Sequence, residues 1–94
     1  MTGWSESVWL NEDANQYEIE VQGRIAVLVY RRDGDVLDLL HTEVPTPLEG
    51  QGLGKALLRD ALADIRERGL KVRPICSFVI HYFETHPEVG DLIA

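Results

Sequence analysis

Cysteine is nearly missing from this chain: Cys76 is its only one, so no disulfide can close within it. Basic residues are scarce too. Nine lysines and arginines stand against sixteen aspartates and glutamates, for a formal net charge of -7. Nucleic-acid binding depends on cations that neutralise phosphates, so no such partner is expected. The acidic balance suits a basic partner such as an amine, or serves only solubility. No apolar run is long enough to span a bilayer, and the start, MTGWSE, lacks the basic and apolar segments of a signal peptide. A cytoplasmic protein with no membrane partner is the expectation. No repeat, low-complexity tract or linker divides the chain, and a hydrophobic fraction of 45% suits one folded domain over residues 1–94.

What is present reads as sheet, then helix, then sheet. Trp4 and Trp9 stand among polar residues, and Val8-Trp9-Leu10 can form a short edge strand before a turn at residues 11–15. Residues 17–21 alternate apolar and acidic, as a strand with one wet face does. Gln22-Gly23 reads as a two-residue turn, residues 24–32 as a more central strand, and Asp33-Gly34 as the strongest hairpin signal. The strand over 36–44 is stopped by Pro45 and Pro47. Residues 16–44 are thus expected to form an antiparallel meander. A helix is expected from about Gly52 to Arg68, with Leu53, Ala56, Leu57, Ala61, Leu62 and Ile65 on one face and Gly69 as its C-terminal cap. Residues 70–76 then form a strand that, after a helical crossover, lies parallel to 36–44. Pro74 places it at a sheet margin or splays it from a neighbour. Ser77 caps a second helix over 78–84, and 88–93 can add one helical turn. The fold class is α+β.

The stretch from Glu43 to Leu58 joins these parts: strand, two prolines, three alternating glycines, amphipathic helix. Free N–H groups and a positive helix end converge there, which suits a phosphate. A Walker loop is excluded, because Glu49 stands where its first glycine belongs and Ala56 follows Lys55. A dinucleotide fingerprint is excluded because its third glycine falls on Lys55 or Leu57. A plain tight turn that lets the helix approach the sheet remains the bland explanation of the glycines.

Glu49-Gly-Gln-Gly-Leu-Gly-Lys-Ala-Leu-Leu58 resembles the pyrophosphate loop of the GNAT acetyltransferase superfamily. Together with His41-Thr-Glu-Val-Pro45, Pro74-Ile-Cys-Ser77 and His86-Pro-Glu88, it is similar to a small single-domain family of N-acetyltransferases within it, over roughly residues 16–93. Glu49 departs from the pattern, since the superfamily usually carries Arg or Gln there. The resemblance implies acetyl-CoA as donor, with its diphosphate over the N–H groups of Gln51, Gly52, Leu53, Gly54 and Lys55, beside Gly50. It places the pantetheine arm in the gap between strands 36–44 and 71–76, against Thr42, Glu43, Val44 and Ser77. The chain begins at the sheet, without the N-terminal helices of larger members, so the resemblance implies an acceptor site that is open or completed by a partner. It also implies an amine acceptor, on a small molecule or a basic protein. A non-catalytic CoA-binding or interaction module is the alternative.

Two side chains can carry chemistry. His41, near the end of the strand facing the expected cleft, can deprotonate an amine or a thiol; a purely local hydrogen-bonding role competes. Cys76 stands at a helix N-terminus, which favours thiolate, so it can act as an acetyl carrier or remain an inert small hydrophobe. Direct transfer with His41 or a water as base is preferred. Cys76, His81 and His86 are too loosely spaced for zinc, and no metal is expected. Lys55, Lys71 and Arg73 are cations within reach of phosphates, or solvated surface charges. Tyr30, Tyr82 and Phe83 are read as core or cleft wall.

Overall fold

Alternating strands, primed turns and one amphipathic helix build a five-stranded sheet covered on one face. The computed structural model describes residues 8–94; Trp4 and the Met1–Glu6 start lie outside them. The strands are β1 (Val8–Asn11), β2 (Gln16–Val21), β3 (Arg24–Asp33), β4 (Val36–Glu43) and β5 (Lys71–Pro74), in the order β1-β2-β3-β4-β5. The first four pair antiparallel and β5 joins β4 in parallel. Gln22 and Gly23 turn the second hairpin with φ of 54° and 75°, the left-handed pair that matches strand twist. The next turn lies one residue later than the Asp-Gly signal suggests. Asp33 still pairs with Val36, so Gly34-Asp35 makes the loop.

Helix α1 (Leu53–Glu67) lays its apolar stripe on the sheet, burying Leu53, Leu57, Leu58, Ala61, Leu62 and Ile65. They meet Tyr17, Ile19, Ala26, Leu28, Leu37 and Leu39 in one core cluster. Each leucine or isoleucine among them contributes roughly 1.5–3 kcal/mol when fully buried. The helix closes in a Schellman arrangement: Gly69 N–H donates to Arg66 O and Leu70 N–H to Ile65 O. Helix α2 (Ser77–Thr85) adds Val79, Tyr82 and Phe83 to the same cluster. Its N-cap is Cys76, with no side-chain capping bond, so Ser77 begins the helix rather than capping it. A 3-10 helix over Pro87–Leu92 follows, and Ile93 bridges to Val72.

Side chains on the second face of the sheet include Trp9, Glu18, Ile25, Val27, Val29 and Asp38, with Ile25 left 46% exposed. Two carboxylates are buried there, Glu18 and Asp38, and Asp38 is the deeper. It receives Arg73 Nε at 2.6 Å and Arg31 Nη2 at 2.7 Å. Those guanidiniums, Arg73 first, hold its carboxyl below the usual aspartate range. Among the described residues, no helix is long and apolar enough to cross a membrane.

Candidate functional site

The site begins where β4 and β5 part. Their parallel ladder ends at the Leu39–Pro74 pair. Proline brings no N–H, and the next two donors, Ile75 and Cys76, both turn to Leu39 O, at 3.1 and 3.0 Å. Residues from Leu40 onward therefore leave their β5-side backbone groups outside any ladder. On the β3 side, Val29 pairs with His41 and Tyr30 with Leu39, so Leu40 is an extra, bulged residue.

The bulge inverts the side-chain phase of β4. Leu37 and Leu39 point into the core, and strict alternation puts His41 with them. Instead Thr42 pairs with Leu28 and faces the helices, while His41 and Glu43 pair with Val29 and Val27 and face the open side. His41 is exposed, and its Nε2 lies 2.7 Å from Glu43 Oε2. It stands at the end of β4 as expected, but on the face of the sheet opposite the cleft. Thr42 Oγ1 is 3.9 Å from the sulfur of the half-buried Cys76, across the gap.

The other wall of the gap is the glycine loop. After a 3-10 turn over Thr46–Leu48, Gly50 and Gly52 take φ of 82° and 78°. This left-handed backbone disfavours side chains, and a Cβ at either position would meet nothing within 4 Å, so the space above both is open. Gly52 is the N-cap of α1, without a capping side chain or an acidic residue in the first turn. The first helical bond is Ala56 N–H to Gly52 O. The N–H groups of Leu53, Gly54 and Lys55 therefore lack helical acceptors, and the helix end is left positive. Gly54 answers a different need. A Cβ there would lie 3.3 Å from the Phe78 ring and 3.6 Å from Val44, so its absence lets α1, β4 and α2 converge.

These elements form a cleft of about 390 Å³ lined by Thr42, Val44, Gly50, Gly52, Leu53, Gly54 and Lys55, each a residue that the resemblance implicates in donor binding. Leu48, Glu49 and Phe78 complete it. Phe78 was legible only as a helix residue, because its contact is with Gly54, distant in sequence. His41, Gln51, Cys76 and Ser77 do not line this cleft, and Glu43 lines a neighbouring depression on the far side of Thr42 and Val44. The exposed Gln51 side chain turns back toward Pro47 O, at 3.5 Å. Of the three candidate cations, Lys55 is at the cleft. Lys71 donates to Asp91 O, and Arg73 serves Asp38 and Asp33. Among the described residues, no group of three or more His, Cys, Asp or Glu side chains is arranged to hold a metal ion.

A meander, a crossover helix and a parallel strand splayed beside a glycine-rich helix start define an acyltransferase-type α+β domain. Residues 16–92 match the family model of the GCN5-related N-acetyl-transferases, and the chain belongs to that family. It is 38% identical over 63 residues to protein NATD1 of Homo sapiens, covering 66% of this chain and 56% of that protein. Protein NATD1 of Xenopus tropicalis is 32% identical over 88 residues, covering 88% and 81%. The match thus spans little more than half of the human relative. The solution structure of a GCN5-like protein from Staphylococcus aureus superposes with a TM-score of 0.70 at 31% identity, over 93% of this chain and 86% of that one.

Proposed function

We propose that the chain transfers an acetyl group from acetyl-CoA to an amine. The observation that carries this reading is the uncapped start of α1, opening onto the same cleft as the unladdered end of β4. The N–H groups from Gln51 to Lys55 suit a diphosphate, and the open space at Gly50 and Gly52 lets it approach the backbone. The free groups of Thr42 to Val44 suit the amides of the pantetheine arm. When bound, the donor supplies a thioester carbonyl.

The two faces of β4 divide the work. Thr42 faces the donor side, while His41, held by Glu43, faces the side left open for an acceptor. The amine nitrogen attacks the thioester carbon, the C–S bond breaks, and the sulfur leaves with its electron pair. His41 takes the proton that the nitrogen loses. A base on the acceptor face supports direct transfer over a route through Cys76.

Calorimetric titration with CoA, repeated on Gly52→Glu, tests the donor site. The variant is expected to bind at least about tenfold more weakly, since a carboxylate then faces the diphosphate and two N–H donors are disturbed. No binding by the wild type would remove the reading. Acetyl-CoA turnover against amines and basic peptides then tests the reaction.

A further inference from the structure

Beyond Lys55 the cleft continues into a second depression of about 190 Å³, between the first turn of α1 and one side of α2. Its lining is Lys55, Phe78, His81, Tyr82, Thr85 and His86, and Lys55 and Phe78 line the main cleft as well. In a chain of net charge -7, a depression lined by three groups able to carry positive charge and by no carboxylate is a local exception. Carboxylates stand around it and not in its lining: Glu84 is 3.9 Å from His81 Nδ1, and Glu88 and Asp60 are near enough to raise the Tyr82 hydroxyl's pKa.

His86 is held as a phosphate ligand must be held. Its ring stacks on Tyr82 with centroids 3.8 Å apart and planes 6° from parallel. Nδ1 lies 2.9 Å from Tyr82 O and 2.9 Å from Thr85 Oγ1, two contacts that hold the ring. The ring is therefore oriented, and Nε2 can donate to an anion when the ring is protonated. His81 lies on the same helix, and its side chain is 74% exposed.

We propose that this depression binds the 3′-phosphate of the donor's nucleotide, with Lys55, His81 and His86 as its ligands. The inference rests on the acetyl-CoA reading above. In CoA the 3′-phosphate is borne on the ribose whose 5′-oxygen carries the diphosphate, so the two anions need adjacent, separate cation sites. Lys55, shared by both cavities, is placed to serve the junction.

Titration of the wild type with CoA and with 3′-dephospho-CoA at neutral pH and low salt tests this. CoA is expected to bind about tenfold more tightly, the scale of charge-assisted contacts to one phosphate. In a His81→Gln/His86→Gln double variant the preference should fall to about twofold while the affinity for dephospho-CoA stays unchanged. That second affinity also reports that the variant is folded. Equal affinities in the wild type, or a preference that survives in the variant, would overturn the inference and leave the donor reading standing. If neither ligand binds, both readings are overturned.

Discussion

Thr42 Oγ1 and Cys76 Sγ face each other at 3.9 Å across the point where β4 and β5 part. The contact puts the cysteine at the gap itself, but on the helix side, away from His41. If the amine attacks the thioester directly, Cys76 is a packing neighbour of Thr42 and not a carrier. Incubation with acetyl-CoA followed by intact-mass measurement is expected to show no acetyl group on the protein. Cys76→Ala should keep turnover within about threefold of wild type, the loss reflecting a missing contact and not a missing step. Stoichiometric acetylation of Cys76, lost in the variant, would reverse this assignment.

His41 should carry far more of the rate. His41→Asn is expected to lower kcat by about 10²–10⁴, the usual worth of a positioned base, with CoA affinity unchanged. Glu43→Gln replaces the carboxylate 2.7 Å from the ring with a weaker, neutral acceptor and should fall between the wild type and His41→Asn. Steady-state kinetics alongside CoA titration of both variants separates a base from a binding residue. Equal losses in CoA affinity would reassign His41 to the donor site.

The sheet, the crossover helix and the glycine loop were legible because each rests on local signals: alternation from Tyr17 to Val21, a 3.6-residue stripe from Leu53 to Ile65, and glycines at a strand-to-helix joint. The facing of His41 was not legible. A strict two-residue period puts it with Leu37 and Leu39, and the one-residue bulge at Leu40 exists only because β3 pairs on both sides of it. Ser77 failed as a cap for a similar reason. Two donors drawn to Leu39 O turn the chain early, so the helix starts on Ser77 itself. Phe78 and the Asp38 network join residues distant in sequence, and no local pattern announces such contacts.

Asp38 ties β5 to the sheet through Arg73 and β3 to β4 through Arg31. Its folded pKa lies below its unfolded value near 3.8. For such a group the stabilisation is present above the unfolded value and is lost as pH falls through the folded one. Urea midpoints followed by circular dichroism should therefore drop on the acid side of about pH 4 in the wild type. Asp38→Asn should be less stable at neutral pH, and the difference between the two proteins should shrink as pH falls. A gap that stays constant down to pH 2 would show that the pairing is not the source.

Gly54 and Phe78 form a packing pair that can be tested by exchange. In Gly54→Ala the new Cβ lies 3.3 Å from the ring, so the ring must give way. Removing a helical glycine gains up to about 1 kcal/mol, which this contact opposes. Gly54→Ala is expected to be near neutral in stability and to bind CoA several-fold more weakly, since Phe78 is displaced into the cleft. Gly54→Ala/Phe78→Leu should recover the stability gain. An unchanged CoA affinity in the single variant would mean that Phe78 yields away from the cleft.

Glu49 lines the cleft where the diphosphate is proposed to lie, exposed, at the start of the glycine loop. A carboxylate about 4 Å from an anion in water-like surroundings opposes it by roughly 1 kcal/mol, close to fivefold in affinity. Glu49→Gln should therefore bind CoA several-fold more tightly than wild type, and Glu49→Arg more tightly still. Both gains should shrink as salt is raised, because exposed charges are screened within about 10 Å at 0.1 M. Calorimetric titration at two salt concentrations reads all of this. If neither substitution alters affinity at low salt, the diphosphate does not approach Glu49, and its placement over Gln51 to Lys55 would have to move toward the helix side of the loop.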